Sequence, residues 1–190
     1  ATVGTTYCQI FAVDEIDLDR LDAAWGKVQK RHGMMRASVE EDGTQSIAPS
    51  SKIGHIERAE CANSSEAKQQ LEEIKRTVFA LAKPPLHRVV SISWHEESGK
   101  QTRLVFCFDY TVLDALSVMT VLAELAELYE NPGADLPGIG LTFRDFVVGH
   151  RRDGREVEEA EGYWRSRLPE LPPAPQRPLA ADPSTGGEGR

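Results

Sequence analysis

Apolar positions recur along this chain with two periods, and the places where the period changes mark its elements. Tyr7 to Val13 is an apolar run that predicts a strand. Leu18, Leu21, Trp25 and Val28 recur at helical spacing behind Asp17, a capping residue, and Gly33 is the predicted stop. Met34 to Glu40 and Thr44 to Ile47 flank Asp42-Gly43, which predicts a hairpin with a tight turn. Asn63 with Glu66 three residues on has the form of a capping box, and Leu71, Ile74 and Val78 give the helix behind it one apolar face. Pro84-Pro85 ends that helix. Leu86 to Trp94 and Thr102 to Phe108 predict a second strand pair, and a helix from Ser117 to Tyr129 stops before Asn131-Pro132-Gly133.

After that the pattern changes. Thr142 to Phe146 predicts a short docking element, and Glu156 to Leu168 a charged helix carrying Tyr163 and Trp164. Leu171 to Leu179 holds four prolines and must be extended, because each disfavours helix at the residue before it. Residues 1–180 read as one domain and 181–190, rich in Pro, Ser and Gly, as a flexible tail. The order β-α-β-β-α-β-β-α predicts an α+β fold, a mixed sheet with helices packed on one face.

The candidate chemistry sits where the apolar strand ending at Phe108 gives way to the apolar helix beginning at Ser117. Asp109, Asp114 and Ser117, spaced Asp-x4-Asp-x2-Ser, are placed at the C-terminal end of a buried strand. Carboxylates in such a seat are paired or functional, because burying an unpaired one is costly. Ser117 at the start of its helix reads as a capping hydroxyl rather than a nucleophile.

Composition narrows the partners. With 22 Lys and Arg against 30 Asp and Glu, the net charge is −8, which argues against nucleic acid. No apolar run reaches membrane-spanning length and no signal peptide is visible, so a cytoplasmic location is expected. Cys8, Cys61 and Cys107 are odd in number and scattered. Cys8 and Cys107 lie in strand-like runs and are expected to be free, buried thiols, with no disulfide framework. The five histidines show no metal-ligand spacing, and no metal site is expected. Arg151, Arg152 and Arg155 form a local basic cluster that reads as a solvated face. Trp25, Trp94 and Trp164 are expected core anchors.

The Asp109-x4-Asp114-x2-Ser117 signature resembles that of heterocyclization domains of nonribosomal peptide synthetases, where it stands in place of the His-His-x3-Asp-Gly of ordinary condensation domains. The similarity extends through Leu21 to Trp25, Arg31-His32-Gly33-Met34-Met35-Arg36, Asp42 to Gln45, Leu128-Tyr129, Thr142 to Phe146, Tyr163-Trp164 and Leu171-Pro172-Pro173-Ala174-Pro175, in the family's order. The resemblance implies a chloramphenicol-acetyltransferase-like subdomain, the N-terminal one of two that form a V around a tunnel. The C-terminal one, which supplies an Asp and a Thr implicated in cyclodehydration, lies outside this sequence.

The resemblance also implies the chemistry: a carrier-bound acyl thioester is condensed with carrier-bound Cys, Ser or Thr, and loss of water gives a thiazoline or oxazoline. The candidate catalytic residues are then Asp109, Asp114 and Ser117. Asp114 is expected in a structural ion pair with Arg36, or less favourably Arg31. Asp109 stands in the seat of the first His and Tyr110 in that of the second, which removes a histidine mechanism; Asp109 is open to a structural or a tunnel-facing role. The implied partners are peptidyl carrier protein domains, a C-terminal condensation-type subdomain and, through the bare tunnel face, a second copy of this chain. No cofactor is expected to bind directly, since phosphopantetheine arrives on the carriers. The competing reading is a non-catalytic half-domain that binds carriers or another synthetase chain.

Overall fold

The computed structural model describes residues 5–149 and 154–173. The chain divides into two units, Ala1–Phe146 and Val147–Arg190. The first unit holds β1 (Thr6–Val13), α1 (Leu18–Arg31), a 3-10 turn (Gly33–Arg36), β2 (Ala37–Val39), β3 (Gln45–Ile47), β4 (Glu57–Glu60), α2 (Ser64–Lys75), β5 (His87–Glu96), β6 (Gly99–Asp109) and α3 (Ala115–Glu130). The short helix α4 (Phe143–Gly149) carries the unit boundary. In the second unit lie α5 (Gly154–Arg167) and a closing 3-10 turn. No helix among the described residues is long and apolar enough to cross a membrane.

Capping sets the helix starts as the sequence implies. The Asp17 side chain accepts from the backbone N–H groups of Asp19 and Arg20, and Asn63 accepts from that of Glu66. The Glu66 carboxylate accepts from the N–H of Ala62, one residue beyond the Asn63 N-cap whose N–H a capping box engages. The glycine requirement is met in two turns, at Gly43 (φ 82°) and at Gly99 (φ 113°), which closes the two-residue turn between β5 and β6.

The main sheet runs β1-β6-β5-β4. The first three strands are antiparallel neighbours, and β4 joins β5 in parallel, so the sheet is mixed as expected. β4, Glu57-Arg58-Ala59-Glu60, has no apolar run and no counterpart in the sequence reading; it is an edge strand with three exposed residues. The α+β class holds, but the helices cover both faces rather than one. One face packs Val89, Leu104, Phe106 and Phe108 against α1 and α3 through Trp25, Val28, Val121 and Leu125. The opposite face packs Val90, Ile92, Trp94 and Val105 against Ala67 and Ile74 of α2. Strands β5 and β6 are apolar on both sides for this reason, which a run such as Leu104 to Phe108 encodes without alternation.

Trp25 and Trp94 are core residues, whereas Trp164 on α5 is 57% exposed and is no core anchor within its unit. Cys8 and Cys107, expected as free thiols, lie directly opposite each other on β1 and β6 and form a disulfide. Residues 174–190, including most of the proline-rich stretch and the expected tail, lie outside the described residues, as do Arg151 and Arg152. Arg155 pairs with Glu159 along α5.

Candidate functional site

Asp109 is the last residue of β6, and its backbone N–H donates to the carbonyl of Leu86, the residue just before β5. Its side chain is 3% exposed. Oδ1 accepts two hydrogen bonds, from the Thr5 hydroxyl and from the Thr111 backbone N–H, both at 2.8 Å. The second closes an Asx-type turn, and the Asp109 carbonyl accepts from the Val112 N–H one residue later. One carboxylate thus ties the strand end to β1 and bends the chain toward α3.

Tyr110 turns out of the core. Its ring is 44% exposed and stacked on Tyr7, with centroids 5.6 Å apart, while its N–H donates to the Thr5 carbonyl. Val112 and Leu113 bury themselves next, anchoring the loop in the α1–α3 core.

Asp114 overturns the sequence expectation of a buried ion pair. It is exposed and is the N-cap of α3, its Oδ1 accepting from the Ser117 N–H at 2.8 Å. The Ser117 side chain and then its backbone N–H hold the Asp114 carboxyl below the usual carboxylate range. Ser117 is therefore not the cap: it sits three residues inside, on the donor side of the capping interaction.

Neither expected arginine reaches Asp114. The Arg36 guanidinium is taken up by backbone carbonyls, those of Gln29 and of Lys30 (2.9 Å), His32 (3.4 Å) and Ala48 (3.0 Å). It neutralises the C-terminal carbonyls of α1, a favourable seat for a cation. Arg31 pairs with Glu124 on α3 at 3.1 Å, and His32 Nε2 lies 2.6 Å from the same carboxylate. Arg31 and His32, at the C-terminal end of α1, thus tie that end to α3 through Glu124, away from Asp114.

The structure brings Asp109, Asp114 and Ser117 onto one strand-to-helix connection, but not into one hydrogen-bonded triad. Two cavities of the first unit, a groove of about 530 Å³ beside Lys30, Leu128 and Leu136 and a smaller one beside Asp14, Ser93 and Thr102, are lined by none of the three. Around the connection the surface is apolar: Leu116 is 71% and Met119 68% exposed on the first turns of α3. Thr5 and Thr111 are the site residues that sequence reasoning missed. Thr111 was legible as the second residue after an Asp at a turn, while Thr5 could be found only through the β1–β6 register.

The family model for the Condensation domain matches residues 6–187. The chain belongs to the condensation-domain family. It is 30% identical over 196 residues to the pyochelin synthetase PchF of Pseudomonas aeruginosa, and 30% identical over 193 residues to the phenyloxazoline synthase MbtB of Mycobacterium tuberculosis. Those alignments cover 96% and 91% of this chain but only 10% and 12% of the relatives. Among solved structures it is similar to the cyclization-docking bidomain of the nonribosomal peptide synthetase EpoB from Sorangium cellulosum, with 30% identity and a TM-score of 0.84 over 96% of this chain and 37% of that one. The fold is therefore the chloramphenicol-acetyltransferase-like α+β arrangement of synthetase condensation domains.

Proposed function

We propose that this chain is the N-terminal subdomain of a heterocyclization domain, one wall of a tunnel in which a carrier-bound acyl thioester meets carrier-bound Cys, Ser or Thr. The observation that carries the reading is the connection itself: an Asp-x4-Asp-x2-Ser segment with no histidine, at the C-terminal end of the central strand β6. The similarity to PchF and to the EpoB cyclization-docking bidomain supports it.

In the first step the acceptor amine nitrogen attacks the thioester carbonyl carbon, the amine loses a proton and the donor arm leaves as its thiol. In the second the acceptor's side-chain sulfur or oxygen attacks the new amide carbonyl, and the former carbonyl oxygen departs as water. Phosphopantetheine enters as the arm that carries each substrate. Asp114 is a poor general base at neutral pH, since its carboxyl is held below the ordinary carboxylate range. Asp109, buried and accepting two hydrogen bonds, acts by holding the connection in shape. Such positioning lowers a barrier by fixing the approach of the reactants rather than by moving protons.

The chain spans about a third of the solved bidomain it resembles. On this reading the Asp and Thr implicated in cyclodehydration come from the C-terminal subdomain. The exposed Leu116, Met119 and Tyr110 are the surface that remainder, or a second copy of this chain, would cover. The test mixes this chain with the separately produced remainder of its domain, a donor-loaded carrier and a Cys-, Ser- or Thr-loaded carrier. The intact mass of the acceptor carrier is then read. A condensed product lighter by one water, formed only when both halves are present, supports the reading. Retained carrier binding without product in any combination favours the non-catalytic half-domain.

A further inference from the structure

The main sheet begins with β1, whose ladder partner among the described residues is β6. None of the residues of β1 is fully buried. Hydrogen bonds along one side are therefore the principal hold on this strand, and edge strands held that way fray readily. Midway along it Cys8 lies opposite Cys107, with Cα atoms 4.2 Å apart, and the two sulfurs are joined across 99 residues of chain. Cys107 is fully buried beside Ile74 and Val105, while Cys8 is partly exposed.

Three residues before Cys8, Thr5 makes two hydrogen bonds to the strand-to-helix connection, beside the stacking of Tyr7 on Tyr110. Its hydroxyl donates to Asp109 Oδ1, and its carbonyl accepts from the Tyr110 N–H at 3.1 Å. Two residues after Cys107 on β6 comes Asp109 itself. The sulfur bridge therefore spans the same pair of strands as the Thr5–Asp109 contact, within one turn of the ladder. Whatever loosens β1 from β6 at Cys8 also loosens the hold on Asp109.

We infer that Cys8 and Cys107 form a thiol–disulfide clasp that sets how firmly Thr5 holds Asp109 and the connection to α3. Opening proceeds by exchange with a small thiol. Its thiolate attacks the Cys8 sulfur, the sulfur–sulfur bond breaks, and Cys107 leaves as a thiolate that takes up a proton. A second small thiol attacks the mixed disulfide at its own sulfur, releasing Cys8, which is protonated in turn. The cysteine pair gains two electrons and two protons, and two small thiols become one small disulfide; a small disulfide reverses the sequence. Where reduced thiols dominate, as in the cytosol, the clasp is open, and it closes when that pool is oxidised. The clasp operates on Asp109 whether or not the chain takes part in acyl transfer.

The test uses the full chain carrying Cys61→Ser, so that the third thiol cannot exchange, in glutathione buffers of graded oxidation. Differential alkylation with mass readout gives the state of the pair, and amide hydrogen exchange gives the hold on the connection. The expected result is a single two-electron titration. The Tyr110 and Thr111 amides should exchange at least about tenfold more slowly in the oxidised protein, with a Tm roughly 5–10 °C higher. Adding Cys8→Ala should fix both amides at the faster rate in every buffer. Thiols that stay free at the most oxidising ratio would overturn the inference. So would Tyr110 and Thr111 exchanging equally fast in both states, since a bridge that only raised global stability would leave their local opening unchanged.

Discussion

Asp114 accepts a hydrogen bond from the backbone N–H of Ser117, three residues on, and this contact rather than an ion pair with Arg36 is what its carboxylate does. The first turn of α3 leaves backbone donors without intrahelical partners, and an Asp at the N-cap satisfies one of them while placing negative charge at the positive end of the helix dipole. Because the group is exposed, its removal leaves no buried charge behind.

Asp114→Asn should therefore fold and melt close to the parent, since Asn caps as well as Asp. Asp114→Ala should lower the Tm modestly. A collapse of Asp114→Asn to an unfolded or aggregated state, read by circular dichroism and thermal melting, would restore the buried ion pair. The capping contribution follows the carboxyl's lowered pKa: it is complete above the ordinary carboxylate range and fades as pH falls below it.

Gln29 is a second polar side chain with a fixed task. Fully buried on α1, it donates from Nε2 to the Gly54 carbonyl and accepts at Oε1 from the Gly54 N–H, both at 2.7 Å. An added Cβ at Gly54 would lie 3.3 Å from the Pro85 ring, a tight contact that asks its neighbours to shift by a few tenths of an ångström. Gln29→Ala removes the partner of two partly buried backbone groups and should cost about 1–3 kcal/mol of unfolding free energy, measured by urea denaturation. A loss below about 0.5 kcal/mol would mean that water replaces the amide without penalty.

His87 gives the fold a pH dependence. Its ring lies 5.1 Å from Trp25 in an edge-on contact, one nitrogen is hydrogen-bonded to the backbone of Met35, and Nε2 has no partner among the described residues. Burial lowers its pKa from 6.5 to about 4, against the smaller opposing effect of Met35. The folded state resists the proton that the unfolded chain accepts. Stability is thus complete above pH 6.5 and falls by up to about 3 kcal/mol as pH drops toward 4. His87→Phe should flatten that slope between pH 4 and 6.5, as read from denaturant midpoints. An unchanged slope in the variant would assign the acid sensitivity to other groups.

Most of the architecture is legible in the sequence because it rests on strong local signals. The caps at Asp17 and Asn63, the helical recurrence from Leu18 to Val28 and the two apolar strands around Gly99 all survive in the structure. What escaped is non-local. β4 is polar and joins the sheet only because β5 offers it a parallel edge, which no period within Glu57 to Glu60 announces. The Cys8–Cys107 pair depends on a register that brings together residues 99 apart. The site illustrates a conflict between local and long-range reasoning. Asp114 three residues before Ser117 is a plain N-cap pattern, yet the family resemblance and the cost of burying a carboxylate pointed to a distant arginine; the exposure of the loop removes that cost.

Asp109 is a buried acceptor that shapes the connection between β6 and α3. The direct test is the single-turnover rate of Asp109→Asn in the reassembled domain with loaded carriers. Asparagine keeps the side-chain oxygen that Thr5 and Thr111 bond, so condensation and water loss should stay within roughly tenfold of the parent, while Asp109→Leu should lose both activity and stability. A rate about 10²–10⁴ lower for Asp109→Asn, with an unchanged Tm, would contradict a purely shaping role, because the reaction would then need the carboxylate's charge or basicity.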